Sequence, residues 1–199
     1  RDPQLHERLA RLRATRHDRN PQIVERLNKL GLSLSYDEVK AVAGSDSVGR
    51  PHIARVLMDK GYVTSAKEAF DRYLAEGAAA YVPRNLPEPE EAIRWIRDAG
   101  GIAVLAHPVW IKQPGEAHET LCRQLQDQGL QGLEVFYSTH KPQQTSLFLD
   151  IARRLGLLIT GGSDFHGLTK PDIEVGIGRG ELKVPGALLE PLKKAAGTA

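Results

Sequence analysis

Three short apolar runs in the second half of the chain alternate with amphipathic stretches of helical period. The runs cover residues 102–106, 133–137 and 157–161, and helical patterns over about 117–128 and 143–155 separate them. Strands that alternate with helices are typical of parallel βα units, in which helices cover the sheet. The pattern therefore predicts an α/β fold with parallel strands for this part of the chain.

Weaker signals flank this alternating region. A helix is expected over residues 90–99, after two closely spaced prolines. Beyond the third apolar run, one last short strand is expected at 175–178 and a terminal helix over about 188–195. No internal repeat and no low-complexity segment interrupts this order.

The first thirty residues carry apolar and basic positions at helical spacing. Asn20 and Pro21 either cap and open the second of two helices or kink a single long helix. The basic side chains form either a solvated face, which the composition favours, or a surface that faces phosphate. These side chains are Arg8, Arg11, Arg13, Arg16 and Arg19.

Helical signals continue to about residue 80. The pairs Ser35–Glu38 and Ser65–Glu68 have the spacing of a capping box, in which serine and glutamate satisfy the free backbone N–H groups at a helix start. Short amphipathic helices of this kind predict a separate helical core. We therefore expect a helical domain over residues 1–80 and an α/β domain over residues 81–199.

A histidine follows each of the three apolar runs. His107 follows the first run, His140 the second and His166 the third, where Asp164 lies two residues before it. Because ligands collect at the carboxyl ends of parallel strands, these side chains are expected to share one site. Imidazole and carboxylate together suit zinc, manganese or iron. The sequence therefore predicts one shared site at the strand ends, where these donors favour metal binding.

Local backbone effects refine this prediction and leave one alternative. Pro108 is expected to push His107 toward an extended conformation. If the chain is extended after the third run, Asp164 and His166 point to the same side. Alternatively, Ser163 and Asp164 cap a following helix, and His166 is an ordinary loop residue.

Several motifs together resemble a known family. The stretches AHP, LEVFYSTH and GGSDFHG resemble the C-terminal part of the PHP (polymerase and histidinol phosphatase) family. Upstream, VGRPHIARVLMDKGYV, AFDRYL and AYVPR resemble the helical insertion of one branch. That branch comprises metal-dependent phosphoesterases and 5′-to-3′ exonucleases that act on nucleotide 3′,5′-bisphosphates and short RNA. The resemblance implies the C-terminal part of a distorted (β/α)7 barrel with a helical insertion domain.

The resemblance also implies roles for individual residues. It makes His107, Asp164 and His166 metal ligands, with manganese expected and zinc or iron as alternatives, and it implies hydrolysis by metal-activated water. No catalytic residue is assigned beyond these ligands. The resemblance also implies that four residues bind the substrate, which is a nucleotide or short RNA: Arg50, His52, Arg84 and His140. The alternative for two of them is that Arg50 caps a helix and His52 is half-buried.

Part of the family's ligand set is absent from this sequence. PHP proteins begin with a strand carrying an H-x-H pair, followed by an aspartate, a further histidine and a glutamate, whereas His6 and His17 lie eleven residues apart in a charged helical pattern. The chain also lacks an initiator methionine. We therefore expect an incomplete fragment, whose open barrel flank is covered by a missing N-terminal segment or by a partner chain. The alternatives are a non-catalytic domain that binds nucleotide or a partner, and a histidinol-phosphatase-like phosphatase.

Composition narrows these alternatives only slightly. The 199 residues carry a formal net charge of +2, which argues against a strongly electrostatic nucleic-acid coat. Cys122 is the single cysteine, so an internal disulfide is excluded and a cytoplasmic protein without membrane contact is expected. The helical setting of Cys122 predicts a packing role. Glu134 lies in the middle of an expected strand and is a candidate second-shell residue whose partner the sequence does not identify.

Overall fold

The chain divides into two compact units, Arg1–Leu86 and Pro87–Ala199, whereas the sequence placed the boundary at residue 80. No helix among the described residues combines the length and the apolar character that a bilayer crossing requires. The computed structural model describes residues 2–44, 48–83, 86–111, 115–167 and 171–197.

The first unit contains only helices in its described residues. One long helix, α1, contains Pro21, so the alternative of a single helix holds. Its buried face, with Ile23 and Leu27, packs with Ile53 and Leu57 in the core of this unit. The helices are α1 (Pro3–Lys29), α2 (Tyr36–Ala43), α3 (Arg50–Asp59) and α4 (Ala66–Ala69), the last continuing as a π-helical turn (Phe70–Leu74).

Local capping signals fix two of these helix starts. Ser35 Oγ accepts a hydrogen bond from the Glu38 N–H at 3.2 Å, and Glu38 Oε2 accepts one from the Ser35 N–H at 2.7 Å, which confirms the first capping box. In the second, Ser65 Oγ accepts from the Glu68 N–H at 3.1 Å. Glu68 Oε2, however, accepts from both the N–H and the hydroxyl of Thr64, each at 2.8 Å. The second box is therefore only half formed, because the carboxylate is held one residue upstream of the helix cap.

Among the described side chains of α1, Arg19 and Asn20 are the buried polar ones. Arg19 is 6% exposed, and its Nε donates to the Val82 carbonyl at 2.6 Å. Asn20 is 3% exposed and donates to the Val48 carbonyl at 3.0 Å. Assigning Arg19 to a solvated face was therefore wrong, because a carbonyl from a distant segment needs a donor there. The Arg16 side chain lies outside the described part of the structure.

The second unit contains a parallel sheet of three strands in the order β1-β2-β3. This confirms the α/β fold with parallel strands, while closure into a barrel stays a prediction. The strands are β1 (Val104–Leu105), β2 (Gly132–Tyr137) and β3 (Leu158–Gly162). The helices are α5 (Pro89–Asp98), α6 (Gly115–Asp127), α7 (Pro142–Leu155) and α8 (Leu189–Ala195).

A strand predicted at 175–178 was wrong. Glu174 and Gly178 form a single antiparallel bridge that closes a turn. Gly178 has φ of +61°, and a Cβ atom there would lie 2.7 Å from the Ser138 Cβ. The backbone comes this close to the end of β2 because Gly178 has no side chain.

The core of the second unit lies between the sheet and its helices. Leu133 and Val135 of β2 pack with Phe148 and Ile151 of α7, and all four are at most 1% exposed. Cys122 of α6 joins this cluster, and burial raises the pKa of its thiol to about 11. A packing role for Cys122 is thereby confirmed, since a protonated, buried thiol is a poor nucleophile.

A β-bulge interrupts the register between β2 and β3. Glu134 lies opposite Thr160, but Phe136 lies opposite Gly161, the next residue of β3, so Val135 is the extra residue. A bulge bends its strand and increases the local twist. Burial still alternates along β2, since Leu133, Val135 and Tyr137 are buried while Glu134 and Phe136 are half-buried.

Candidate metal and substrate site

His107 lies just after β1 in a left-handed conformation, with φ of 34° and ψ of 57°. The extended conformation predicted from Pro108 was therefore wrong. The bend lets the His107 N–H donate to Glu134 Oε2 at 2.6 Å, and the His107 carbonyl accepts from the Trp110 N–H at 3.1 Å. Residues other than glycine adopt such a backbone at some cost and do so preferentially at functional sites.

Asp164, after β3, also has a positive φ, at 57°. The chain is therefore not extended at this point, and the argument that Asp164 and His166 share one side of a strand fails. Their contact is made by the bend: His166 Nδ1 lies 2.8 Å from the Asp164 carbonyl oxygen and 3.3 Å from Oδ1 of the carboxylate. The alternative, a helix capped by Ser163 and Asp164, was wrong, because residues 163–166 are not helical and Asp164 has a positive φ.

Tyr137, the last residue of β2, contacts residues from all three strand ends. Its hydroxyl donates to Asp164 Oδ2 at 2.8 Å and accepts from Trp110 Nε1 at 3.3 Å. Its ring centroid lies 5.8 Å from that of His107 and 5.2 Å from that of His140. Tyr137 is only 5% exposed, so these contacts occur in a mostly dehydrated setting.

Two of the three predicted ligands, His107 and Asp164, therefore contact Tyr137, and His166 contacts Asp164. Their imidazole and carboxylate donors suit a divalent transition metal. Among the residues that the structure describes, no three His, Cys, Asp or Glu side chains are arranged as a ready metal-ligand group. The assignment of His107, Asp164 and His166 as metal ligands stays a prediction, supported by donor chemistry.

Glu134 is a half-buried carboxylate beside these residues, and the structure supplies the partner that sequence reasoning lacked. It accepts from the His107 N–H, and a Cβ on Gly162 would come within 3.2 Å of its Oε1. Burial raises the pKa of the Glu134 carboxyl, as does the charge of Asp164, and the His107 hydrogen bond opposes that rise.

His140 is held against the protein interior. Its Nδ1 lies 2.8 Å from the Val135 carbonyl, and its ring centroid lies 4.9 Å from that of Phe148. Its Nε2 is buried without a hydrogen-bond partner among the described residues. Burial lowers the pKa of His140, which favours the neutral imidazole. The ring adjoins a cavity of about 380 Å³ between the end of β2, the start of α7 and residues 181–183.

The other predicted substrate-binding residues belong to the first unit. The Arg50 guanidinium donates to the Leu74 carbonyl at 2.8 Å and lies 5.5 Å from the centre of the Phe70 ring. His52 Nδ1 accepts from the Gly49 N–H at 3.0 Å and so caps its own helix, α3. Arg84 lies outside the described residues. These contacts are structural, and the substrate-binding role of all three stays a prediction.

Sequence reasoning missed Tyr137 and Trp110. A tyrosine that ends an apolar strand between two candidate ligand strands was a usable signal, because its hydroxyl extends beyond the apolar run. Trp110 gave no such signal, since its contact depends on the turn after His107. Ser138 was also missed; its Oγ donates to the Ser163 carbonyl at 2.6 Å and ties the ends of β2 and β3 together.

Comparison with characterised proteins gives consistent matches. The 3′,5′-nucleoside bisphosphate phosphatase of Chromobacterium violaceum is 33% identical over 166 residues, covering 83% of this chain and 58% of that protein. The 5′-3′ exoribonuclease of Haemophilus influenzae is 33% identical over 164 residues, covering 82% and 60%. The exoribonuclease Rnm of Escherichia coli is 32% identical, covering 82% and 56%. The chain thus spans less than two thirds of the length of these relatives. No protein-family model matches the chain.

Solved structures show the same relationship. An amidohydrolase from Chromobacterium violaceum, with bound sulfate and no metal, superposes with a TM-score of 0.79 at 30% identity, covering 98% of this chain and 68% of that one. A protein from Bifidobacterium adolescentis, assigned as a metal-dependent phosphoesterase, gives a TM-score of 0.73 at 30% identity, with 94% and 64% covered.

Proposed function

The chain belongs to the PHP-type family of metal-dependent phosphoesterases, and we propose that this protein hydrolyses phosphate esters of nucleotides with divalent metal ions. The substrate class we propose is nucleotide 3′,5′-bisphosphates or the 5′ end of short RNA, in line with the names of its relatives. The observation that carries the proposal is the meeting of His107, Asp164 and Tyr137 at the carboxyl ends of three parallel strands. This is where α/β proteins place their chemistry.

His107, Asp164 and His166 are the residues that would hold metal, with manganese as the proposed ion. A bound divalent ion supplies positive charge to phosphate oxygens and lowers the pKa of an attacking water. The protein's own part is orientation: Glu134 holds the His107 backbone and Tyr137 holds the Asp164 carboxylate. The activation barrier for phosphate-ester hydrolysis depends on where charge is placed around the phosphate. It is therefore sensitive to the orientation of the residues that would hold the metal.

Substrate binding is proposed for Arg50, His52, Arg84 and His140. Guanidinium groups suit phosphate oxygens because they donate parallel hydrogen bonds. For Arg50 and His52 the proposal rests on the family resemblance, and their contacts with Leu74 and Gly49 compete with it.

Further metal ligands are proposed to come from outside these 199 residues, either from the same protein or from a partner chain. This accords with the described residues offering no ready group of three donors. A cytoplasmic location is proposed as well, on the grounds of a single, buried cysteine.

The test is phosphate release from adenosine 3′,5′-bisphosphate by the natural full-length protein, with added manganese and after chelation. Chelation, His107→Ala and Asp164→Asn should each lower kcat at least about a hundredfold, since even residues supporting metal ligands contribute about ten- to a hundredfold. His6→Ala, in the N-terminal helix, is the matched control and should leave kcat unchanged.

Other outcomes separate the alternatives. Activity that survives complete chelation contradicts the proposed function. Nucleotide binding without turnover supports the non-catalytic alternative, and a higher kcat/KM for histidinol phosphate supports the histidinol-phosphatase alternative.

A further inference from the structure

Two side chains of β2 each hydrogen-bond to a loop that follows a neighbouring strand. Glu134 accepts from the N–H of His107, after β1, at 2.6 Å. Tyr137 donates to the carboxylate of Asp164, after β3, at 2.8 Å. The middle strand thus contacts both loops that carry candidate ligands.

The loop residues in these two bonds share an unusual backbone. His107 and Asp164, with φ of 34° and 57°, are the two residues other than glycine with positive φ in the described chain. Such conformations persist when surrounding contacts over-determine them. At His107 the backbone N–H donates to the Glu134 carboxylate, and at Asp164 the side-chain carboxylate accepts from the Tyr137 hydroxyl.

Glu134 and Tyr137 are three positions apart, which in a strand places their side chains on opposite faces. Burial alternates accordingly through the bulge at Val135, with Glu134 half-buried and Tyr137 buried. Gly162 contributes by leaving room for the Glu134 carboxylate, since a Cβ there would lie 3.2 Å from Oε1.

Trp110 completes the arrangement on the Tyr137 side. Its Nε1 donates to the Tyr137 hydroxyl at 3.3 Å, so the hydroxyl hydrogen is left to point at Asp164 Oδ2. Trp110 itself lies in the 3₁₀ turn that begins after His107. The two candidate-ligand loops are thereby linked through a single hydroxyl.

We propose that Glu134 and Tyr137 are positioning residues, one for the His107 loop and one for the Asp164 loop. The inference rests on the proposed function for its consequence in catalysis. Its structural content, that each side chain restrains one loop, does not depend on any reaction.

The first experiment measures that restraint in metal-free, natural full-length protein by amide hydrogen exchange. Glu134→Ala should raise exchange about tenfold or more in residues 106–111 and leave 163–167 unchanged. Tyr137→Phe should raise exchange mainly in 163–167, with a smaller rise in 106–111 because the bond from Trp110 is also lost. Glu134→Gln keeps an oxygen acceptor and should restore protection of 106–111. Tyr62→Phe, whose hydroxyl bonds to Ser33 in the helical unit, is the control and should alter neither segment.

The second experiment measures manganese affinity by calorimetry, with kcat and KM alongside. Glu134→Ala and Tyr137→Phe should each weaken binding about ten- to a hundredfold, as supporting residues of metal sites do. They should lower kcat more than they raise KM.

The possible failures are distinct. Unchanged exchange in both segments overturns the positioning roles, whatever the activity. Wild-type protein that binds neither manganese, zinc nor iron contradicts the proposed function, while loop-specific exchange would still support the positioning roles. If either variant raises amide exchange by the same factor in both segments, the substitution loosens the site generally. That result would overturn the assignment of one residue to one loop.

Discussion

Buried polar side chains in the first unit bond to backbone carbonyls, whereas at the strand ends of the second unit two bonds between side chains converge on Tyr137. In the first unit Arg19, Asn20 and Asn28 donate to carbonyls of other segments. In the second unit Trp110 donates to Tyr137, which in turn donates to Asp164.

This difference separates groups that hold a fold from groups arranged around a site. Backbone carbonyls in a loop need donors wherever they are buried, so the first unit's bonds are explained by packing alone. The hydrogen bonds that run from Trp110 through Tyr137 to the Asp164 carboxylate lie beside backbone with positive φ, at His107 and at Asp164 itself. Packing alone does not require such a series. The contrast supports the proposal that the metal-binding residues lie in the second unit.

The largest expected effect is on the second unit's core. Phe148 is 1% exposed, so Phe148→Ala should destabilise this unit by about 3–5 kcal/mol through lost burial and a cavity. Urea unfolding followed by circular dichroism measures the change. Phe165→Ala, at a residue 50% exposed, is the matched control and should shift stability by less than about 0.5 kcal/mol. Similar losses for the two variants would contradict the assigned core.

A smaller effect is expected in the first unit from Asn28→Ala. The Asn28 side chain donates to the Leu34 carbonyl at 2.9 Å and accepts from its N–H at 3.0 Å. Losing both bonds should cost about 1–3 kcal/mol. Gln22→Ala removes a single exposed bond to Asp18 and serves as the control in the same unfolding assay. If Gln22→Ala is the more destabilising of the two, backbone support by Asn28 is not what stabilises this unit.

Ser35→Ala should lower stability by about 1 kcal/mol, the usual cost of losing a helix N-cap. Ser65→Ala removes a cap whose reciprocal bond is absent and should cost less. Thermal melts of the two variants give the comparison. A larger loss at Ser65 would show that the half-formed box is the stronger one.

The smallest effect is a dependence on pH. Hydrogen bonds from Thr64, and then Arg72, lower the pKa of Glu68 from its ordinary value of 4.5 to about 2. Because the folded pKa is depressed, the contribution of Glu68 is complete above about pH 4.5 and is lost as pH falls toward 2. Melting of wild type and Glu68→Gln from pH 6 to pH 2 should therefore converge at low pH. A difference that stays constant over this range would contradict the role of the carboxylate.

Signals that act within a few residues were readable in the sequence. The Ser35–Glu38 box fixed a helix start, and apolar runs alternating with helical patterns predicted parallel strands. Histidines after those runs identified where the candidate ligands would be found, because the carboxyl ends of parallel strands share one edge.

What the tertiary structure decided depends on contacts between distant segments. Tyr137 and Asp164 are 27 positions apart, as are His107 and Glu134, and Arg19 lies 63 positions from Val82. Pro108 favoured an extended His107, but a carboxylate from the next strand stabilised the bend instead. The bulge at Val135 likewise has no local signal, since it exists only through pairing with β3. The sequence alone thus determined which elements form and where chemical groups lie along the chain, and only the tertiary contacts decided which groups meet.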